Sequence, residues 1–371
     1  METKKYRFDD VTINFDKKRI PLSSAQSEKR QGTFRYYGAQ GVIDHVDDYI
    51  FDGTYLLIAE DGENLKSKKQ NIAQVVDGQF WVNNHAHIVQ GNEQCDTRFL
   101  CYLINSMDLS GYVTGSAQPK LSQANLNAVT LSLPTLAEQK RIVEYLYMLD
   151  QKIDVNRQIN DNLQQQAAAL FSSLYDRTNT EVRFTDLIQI LGGGTPKTGE
   201  NTYWNGNIAF FTPKDVGTPY TLITEKTITE EGLSHCNSRL YPVNTVFVTA
   251  RGTVGKVGMS GVPMAMNQSC YALVGKETHQ LLVYFYTLKV VDRLKHKASG
   301  AVFDAITTKD FESEQIMKLS DDDARAFLCI AEPMFQKVLN NCIENLRLST
   351  LRDSLLPKLM SGEIDVSAVQ L

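Results

Sequence analysis

The chain has 371 residues, of which 42% are hydrophobic, and its formal net charge is −5. This length and composition predict a globular protein of two or three domains, and the lack of an apolar run near roughly 18 residues argues against a membrane span. The negative charge argues weakly against a nucleic-acid partner, although a multidomain protein can confine its basic residues to one face. The first residues lead into Tyr6 and Phe8 rather than into a signal-peptide core, so the expected location is cytoplasmic.

In chain order, residues 1–133 come first and are dense in Gly, Tyr, Phe, Thr, Val and Asn. Short alternating runs such as Tyr55–Ala59 are bounded by turn residues and predict strands. Residues 177–320 have the same texture, with similar runs at Thr245–Ala250 and Ser269–Val274. Each block is therefore predicted to be a mixed domain with much strand and irregular loop.

A long helix is predicted after each block. The first extends from Glu138 to about Asp176, lacks Gly, and has Pro134 just ahead of it, where proline is tolerated. The second is less regular, because Pro333 predicts a kink or a fresh start near residue 332, followed by helix to about Leu356.

Both helices carry the same heptad ladder, 185 residues apart and without a gap. The positions of this ladder, called rungs here, are spaced alternately four and three residues apart. This spacing keeps one face of a helix, the seam, against a partner helix. The first ladder is Ile142, Leu146, Leu149, Ile153, Asn156, Asn160, Leu163, Ala167, Leu170 and Leu174, and the second is Phe327, Ala331, Met334, Val338, Asn341, Asn345, Leu348, Arg352, Leu355 and Leu359. The domain blocks also echo one another: Tyr55–Gly62 with Thr245–Gly252, Asn84-His85 with Asn267-Gln268, and Gly115–Leu126 with Gly300–Phe311.

An antiparallel helix pair is favoured, because a compact second domain can then join the two helices without spanning a rod of about 48 Å. In that register Asn156 meets Asn345 and Asn160 meets Asn341, and these buried amides would penalise slipped registers. The alternative is that the four Asn side chains are solvated on a loose seam.

The predicted fold is α+β: two mixed α/β domains separated by a pair of long antiparallel coiled-coil helices, with a pseudo-twofold internal duplication. The predicted segments are the domains 1–133 and 177–320, the helical spacers 134–176 and 321–361, and the C-terminal tail 362–371.

Enzyme motifs are not found. The Lys of Gly192–Thr198 lacks the Gly that a P-loop places before it, and Gly252–Val257 lacks the Ser or Thr that would hold magnesium. The sequence contains no Asn-Pro-Pro or Asp-Pro-Pro methyltransferase motif and no Gly-x-Ser-x-Gly elbow. The six cysteines lack Cys-x-x-Cys spacing, which favours reduced thiols over zinc ligands. We therefore predict no catalytic residues, metal or cofactor, while a Ser-His-Asp triad assembled in space stays open.

Several short motifs follow one another along nearly the whole chain. Those of the first half are Tyr36–Ala39, Ile50–Gly53, Glu60–Gly62, Gly115–Leu121, Leu131–Pro134, Glu138-Gln139, Ile142 and Leu149–Ile153, continuing through Asn156 and Asn160. Those of the second half are Gly192–Pro196, Tyr203-Trp204, Ala250–Gly252, Asn267-Gln268 and Leu351–Glu363. Together they resemble the specificity subunits of type I restriction-modification systems.

This resemblance implies a non-catalytic subunit with two target recognition domains, each reading one half of a split double-stranded DNA sequence, held apart by the two helices. It also implies two kinds of partner: modification subunits, which carry S-adenosylmethionine and methylate adenine, and a restriction subunit, which cleaves and translocates DNA using ATP. The second half departs from the pattern, because Gly300–Ile306 lacks the Gln-Pro of the first copy.

Candidate DNA contacts are cations for phosphates and side chains with paired donors or acceptors for base edges, placed in Gly-punctuated loops. The candidates are Arg35, Tyr36, Lys66, Lys68, Lys69, Asn84 and His85 in the first domain, and Thr195, Lys197, Lys214, Arg251, Lys256 and Gln268 in the second. Arg251 stands beside Gly252, where the backbone can approach a groove closely, and its fork suits guanine O6 and N7.

Each of these assignments has a structural alternative. The run Lys66–Lys69 can be a solvated charge run, and Arg251 can form a structural salt bridge. His85 and His87 would share one face of a strand, where hydrogen-bonding or core roles are favoured over a metal pair. Tyr203-Trp204 can stack on DNA or form a small core around a turn.

Two rival functions stay open. One is a coiled-coil adaptor that joins two protein ligands without touching DNA, which the acidic charge favours. The other is a specificity subunit that works with a methyltransferase alone, without a nuclease partner.

Overall fold

The computed structural model describes residues 2–67, 70–115, 118–217, 219–297 and 305–364. Lys68, Lys69, the tail beyond residue 364 and parts of the motifs that begin at Gly115 and Gly300 lie outside the described residues. Within the described ranges, every helix is too short or too polar to cross a bilayer.

The chain divides into two compact units. Unit 1 comprises Met1–Gln151 and Leu348–Leu371, and unit 2 comprises Lys152–Arg347. Each unit thus holds one mixed domain together with a portion of both long helices.

Unit 1 is built around a mixed sheet. Its strands are β1 (Lys4–Arg7), β2 (Thr12–Asn14), β3 (Gln31–Gly38), β4 (Gly41–Val46), β5 (Phe51–Ala59), β6 (Ala73–Val82), β7 (Ala86–Gly91) and β8 (Thr130–Leu133). Its short helices are α1 (Ser24–Ser27), α2 (Asn64–Ser67), α3 (Thr97–Ser106) and α4 (Gln123–Asn127), with 3-10 turns at Phe8–Asp10, Asp16–Lys18, Glu28–Arg30 and Ser110–Tyr112. The sheet order is β2-β7-β5-β6-β3-β4, in which β3 and β6 run parallel, and β1 pairs separately with β8.

Unit 2 repeats this plan after the first long helix, α5 (Leu136–Tyr175). Its strands are β9 (Glu181–Arg183), β10 (Ile188–Gly192), β11 (Trp204–Phe211), β12 (Tyr220–Thr221), β13 (Lys226–Ile228), β14 (Val246–Thr249), β15 (Val257–Ser260), β16 (Met264–Met266), β17 (Cys270–Gly275) and β18 (Gln315–Met317). Its helices are α6 (Phe184–Leu187), α7 (Glu230–Ser234), α8 (Gln280–Lys297), α9 (Thr308–Glu312) and the second long helix, α10 (Asp321–Ser361), with a 3-10 turn at Asn201–Tyr203. The sheet orders are β10-β17-β14-β15-β12 and β13-β11-β16, and β9 pairs with β18.

The strand registers show that the two units are duplicates. Three pairs of facing strand residues in unit 1 have counterparts at the same place in the sheets of unit 2. The pairs of unit 1 are Leu56 with Val89, Tyr36 with Trp81 and Thr12 with Gly91. Their counterparts, in the same order, are Val246 with Leu273, Phe210 with Ala265 and Ile188 with Gly275. The predicted duplication is therefore confirmed. One predicted match is wrong by a residue, because the backbone pairing aligns Asn83, not Asn84, with Asn267.

Matched N-terminal caps start the two long helices. Thr135 and Glu138 bond reciprocally before α5, with Thr135 N donating to Glu138 Oε2 at 2.9 Å. Ser320 and Asp323 form the corresponding pair before α10, where Asp323 N donates to Ser320 Oγ at 3.1 Å. Such caps satisfy backbone donors that a helix start leaves free, and each contributes about 1 kcal/mol.

The predicted break at Pro333 is absent, since α10 runs through it from Asp321 to Ser361. Pro333 faces solvent, so water can bond the carbonyl that the proline leaves without a partner. Phe327 and Phe335 lie on either side of it in the unit 2 core, which holds both helical stretches in line. The helix also ends later than Leu356, at Ser361, and it is followed by Gly362, whose φ of 76° is typical of a C-terminal cap.

The Asn seam of unit 2 has the predicted antiparallel register. Asn156 Nδ2 donates to Asn345 Oδ1 at 2.9 Å, and Asn341 Nδ2 donates to Asn160 Oδ1 at 2.8 Å. Asn156 and Asn341 are fully buried and Asn160 is nearly so, which makes the loosely solvated alternative wrong. Within the described chain, the Oδ1 atoms of Asn156 and Asn341 lack hydrogen-bond donors, which is a cost of burying these amides.

Each unit packs its own portion of the helix ladder into its core. Ile142, Leu146 and Leu359 are buried in the core of unit 1. In unit 2, Ala167, Leu174, Phe327 and Val338 join the core formed by α8 and the sheet, and Leu170 packs against it partly buried. In unit 1, Arg352 also donates to Asp150 Oδ1 at 2.6 Å, so an ion pair replaces apolar contact at that rung.

A buried ion pair joins β7 of unit 1 to the turn after β2. His87 Nδ1 lies 2.7 Å from Asp16 Oδ2, and His87 Nε2 lies 2.8 Å from the carbonyl oxygen of Leu121. Both neighbours are acceptors when Asp16 is ionised, so this site favours the protonated imidazole, in which both ring nitrogens donate. Burial by itself lowers the pKa of His87 and is the largest influence, but the bonds to Asp16 and Leu121 and the charges of Asp16 and Glu60 together raise it above 6.5.

We expect the Asn seam to show strong non-additivity. Asn341→Leu alone leaves Asn160 buried without its donor and should cost about 1–3 kcal/mol, whereas Asn160→Leu with Asn341→Leu removes both polar groups and should be close to neutral. Hydrogen exchange of peptides from the paired helices would measure the difference. The exposed Asn340→Leu is the matched control, and additive losses in the double variant would contradict the buried pair.

The stability of unit 1 should fall as pH rises. Because the folded-state pKa of His87 is raised, its stabilisation is complete below the ordinary value of 6.5 and is lost as pH rises through the folded-state pKa. Thermal unfolding of the full chain between about pH 6 and pH 9 should show this slope, and His87→Gln should remove it. His85→Gln, on an exposed side chain, is the control; an unchanged slope in His87→Gln would rule out this pair as the cause.

Candidate nucleic-acid interface

The loop after β5 is the centre of the candidate surface in unit 1. Glu60 N donates to His85 O at 2.9 Å, and Leu121 N donates to Glu60 O at 2.8 Å. Asp61 then forms an isolated bridge with Lys120. These bonds bring the end of β5, the start of β7 and the segment around Lys120 to one place.

The carboxylate of Glu60 is fully engaged there. Arg19 Nη1 donates to Glu60 Oε2 at 2.9 Å, and Lys120 Nζ lies 3.2 Å from Glu60 Oε1. Burial, the largest influence, raises the pKa of Glu60, but the bonds from Arg19 and Lys120 and the charge of His87 outweigh it and hold that pKa below its usual range. Glu60 therefore serves as an anchor for cations and not as a free acceptor.

The neighbouring side chains are more open. His85 Nδ1 lies 2.7 Å from Asp61 Oδ2, with half of the His85 side chain exposed. Asn84 is exposed, and its carbonyl accepts from Arg19 at 3.4 Å. Lys66 donates to the carbonyl of Gly115 at 2.9 Å, so it braces a loop. Asn84, His85 and Lys66 thus gather around the loop of Glu60–Gly62.

Two predicted residues of unit 1 lie in other surroundings. Arg35 Nη2 donates to Asp77 O at 2.6 Å, and its guanidinium stacks over Tyr37. Tyr36 is a core residue with 2% exposure, and its hydroxyl accepts from Leu22 N at 2.9 Å. A buried ring cannot reach a base edge, so the assignment of Tyr36 as a DNA contact is corrected.

The corresponding loop of unit 2 follows β14. Ala250 N donates to Ser269 O at 2.8 Å, and Ile306 N donates to Ala250 O at 2.9 Å. Arg251 forms an isolated bridge with Ala305, and its exposed side chain has no ion pair among the described residues. The structural salt bridge that was the alternative for Arg251 is therefore not seen within the described part of the chain.

Gln268 and Thr195 lie beside this loop. Thr195 Oγ1 donates a hydrogen bond to Gln268 Oε1, and Gln268 is exposed. A side chain at Gly193 would clash with the carbonyl of Asn267, which explains a glycine where β10 passes this turn. Thr195, Gln268 and Arg251 are thus brought together.

The three predicted lysines of unit 2 are spread more widely. Lys214 is next to Pro213, whose carbonyl accepts from Thr253 in the Arg251 loop, and it pairs weakly with Glu225 at 3.9 Å. Lys197 is exposed at the turn that holds Trp204. Lys256 lines a cavity of about 630 Å³ together with Lys289 and Lys295, over a floor that includes Phe171 and Phe285.

The aromatic pair of this turn is structural. Trp204 packs on Phe210 at 5.5 Å between ring centroids, and its Nε1 donates to Lys197 O at 3.1 Å. Tyr203 stacks on His235 at 4.9 Å. Both observations favour the small core around a turn over stacking on DNA.

Sequence reasoning did not single out Arg19, Asp61 and Lys120 of this surface. Glu60 and Asp61 lie in the motif Glu60–Gly62, and Lys120 lies in the motif Gly115–Leu121, so these two motifs could have identified them. Arg19 lies 41 residues from its partner Glu60, and no local pattern marks it. Across the described residues, no group of three or more His, Cys, Asp or Glu side chains is arranged to hold a metal ion.

Comparison with known proteins supports the motif-based resemblance. The sequence model of the type I restriction modification DNA specificity domain matches residues 2–165 and again residues 177–318. A putative type I restriction enzyme specificity subunit of Haemophilus influenzae is 35% identical over 138 residues, which are 37% of this chain and about a third, 35%, of the length of that relative. The HindI specificity subunit of the same organism is 23% identical over 402 aligned residues, covering 84% of each chain.

A solved structure shares the fold. The S subunit of a type I restriction-modification system from M. genitalium superposes with a TM-score of 0.60 at 14% identity, covering 97% of this chain and 96% of that one. The two matches of the family model fall on the two duplicated halves and together span well over half of the residues. The chain therefore belongs to the type I restriction modification DNA specificity family.

Proposed function

We propose that the chain is the non-catalytic subunit that gives a type I restriction-modification complex its DNA sequence specificity. Each unit reads one half of a bipartite duplex target, and the helices α5 and α10 fix the spacing and dock modification subunits. The observation that carries this proposal is the duplication, in which the same backbone bonds after β5 and β14 present different polar side chains. Unit 1 presents the partly buried Asp61 and the exposed His85, and unit 2 presents the exposed Arg251 and Gln268. Two halves of one fold with unlike reading surfaces suit two unlike half-sequences.

The division into recognition domains 1–133 and 177–320, spacers 134–176 and 321–361, and a tail 362–371 belongs to this proposal. Its support is that the paired helices are held in one register by the Asn seam, which a spacing element requires. The long helices also expose apolar side chains, which suits protein docking. These are Met148, Val155, Ile159, Ile330 and Leu351.

The chemistry of the complex belongs to its partners. Modification subunits would supply S-adenosylmethionine and methylate adenine, and a restriction subunit would cleave DNA using ATP. We place this work in the cytoplasm, where the substrate DNA is found.

A salt titration tests DNA binding. The full chain, alone and with the modification subunits of its host, should bind a random duplex with an affinity that falls steeply as salt rises, because phosphate contacts release counterions. Lys197→Ala should reduce the slope by about one, if Lys197 contacts a phosphate. The exposed Lys337→Ala on α10 is a matched control with the same charge change. No binding at any salt would contradict the proposal and favour a protein adaptor.

Helix insertions test the spacing. Four residues added to both α5 and α10 lengthen each helix by about 6 Å and should change the tolerated gap between the half-sequences without changing either half. Mapping methylated adenines in a host that carries each version would give both half-sequences and the gap. A gap that stays the same would contradict the spacing role while leaving recognition intact.

A further inference from the structure

The loops after β5 and β14 place one residue of each unit at the same backbone position. Asp61 follows Glu60 and bridges Lys120, and Arg251 follows Ala250 and bridges Ala305. The flanking bonds agree within about 0.1 Å, with Leu121 N to Glu60 O at 2.8 Å and Ile306 N to Ala250 O at 2.9 Å. The framework is therefore retained, while the side chain that it presents has changed from an anion to a cation.

The turn that follows each of these loops across the sheet is also retained. Asn83 and Asn267 form the same turn. The side-chain Oδ1 of each accepts a hydrogen bond from the backbone N of the second residue after it, at an N to O distance of 2.8 Å for Asn83 and 3.0 Å for Asn267. The counterparts that follow are Asn84 with Gln268 and His85 with Ser269. Unit 1 therefore places an imidazole against Asp61, and unit 2 places an amide near Arg251.

We propose that this matched position reads bases in both units, with Arg251 reading a guanine in one half of the target and Asp61 reading an exocyclic amino group of cytosine or adenine in the other. The inference rests on the proposed function, and it adds which half of the target is read by a hydrogen-bond donor and which by an acceptor. An Arg fork matches the two acceptors O6 and N7 of guanine in the major groove, whereas a carboxylate accepts from an amino group.

Asp61 and not Glu60 is the acceptor of unit 1. Both Glu60 oxygens are occupied, by Arg19 and by Lys120. Asp61 is held through Oδ2 alone by His85, and its Oδ1 accepts no hydrogen bond from the described residues. Arg19 and Lys120 also offset the two adjacent negative charges, which lets a carboxylate face DNA at lower electrostatic cost.

Thr195 is a positioning residue for unit 2. Its hydroxyl donates to Gln268 Oε1, which orients the amide so that Nε2 is the donor left for a ligand. Donors of Gln268 and Arg251 on the same surface favour an acceptor-rich edge, in agreement with guanine.

Selection from a duplex library tests the inference. The full chain with its modification subunits selects its target from duplexes with two randomised half-sites, and binding is then measured on duplexes that carry single base changes. The wild-type complex should prefer guanine about 5- to 150-fold over other bases at one position of one half-site. Arg251→Ala should abolish this preference, and Arg251→Lys should also lose it because lysine lacks the guanidinium fork. Asp61→Ala should remove discrimination at one amino-bearing base of the other half only, and the base selected there distinguishes cytosine from adenine.

The controls separate reading from general binding. Lys197→Ala, exposed in unit 2, should weaken binding to all duplexes alike. Thr195→Val should lower discrimination at the half read by unit 2, and Thr195→Ser, which keeps the hydroxyl, should restore it. Thermal unfolding confirms that each variant is folded, and Arg251→Lys and Asp61→Leu, which lacks an acceptor, replace any that is not.

Each result has one meaning. If the wild-type complex selects a bipartite target but Arg251→Ala and Asp61→Ala keep every base preference, the inference is wrong and the proposed function stands. The inference is also wrong if these variants weaken all duplexes equally, as phosphate contacts would. If the wild-type complex selects no sequence, the proposed function itself fails.

Discussion

The antiparallel register of α5 and α10 in unit 2 is the constraint on which the packing of these helices depends. Two amide pairs, Asn156 with Asn345 and Asn160 with Asn341, fix it in an otherwise largely apolar seam. A slip of one heptad would place Asn156 opposite Val338 or Arg352, so that buried amides would lose their partners. Each orphaned amide costs about 1–3 kcal/mol, whereas apolar rungs exchange partners at little cost. The amides therefore select one register among several that pack comparably well.

Much of this arrangement could be predicted from the sequence because it is periodic. Spacings of four and three residues identify the seam, and the offset of 185 residues identifies its duplicate. Because the second domain connects the end of the first helix to the start of the second, an antiparallel pairing was expected, and the facing residues could be listed from it. The capping pairs Thr135 with Glu138 and Ser320 with Asp323 are local signals of the same kind and share that offset. Pro333 shows the limit of such reasoning, since burial of Phe327 and Phe335 on either side outweighs the backbone bond that proline removes.

The candidate surface was less predictable, because its contacts join residues that are remote in sequence. The bonds of Arg19 to Glu60 and of Asp16 to His87 span 41 and 71 residues, and no local pattern reveals them. Tyr36 shows a second limit, because strand alternation alone does not tell which face of a sheet is covered by other elements. The exposed candidates Asn84, Arg251 and Gln268 were found because turn residues mark loops, and loops lie at the surface.

The two units solve one packing problem in different ways, and this difference bears on the acidic net charge. The strand registers match Asp16 and His87 of unit 1 to Gly192 and Tyr271 of unit 2. Where unit 1 buries an ion pair, unit 2 packs Tyr271 edge-on against Phe311, at 6.0 Å between ring centroids. The carboxylates of Asp16 and Glu60 both form ion pairs with Arg19, so they add little to the electrostatic potential at the surface. Because each such pair cancels a cation together with a carboxylate, the net charge of −5 describes the whole chain and does not give the charge of the face that meets a ligand.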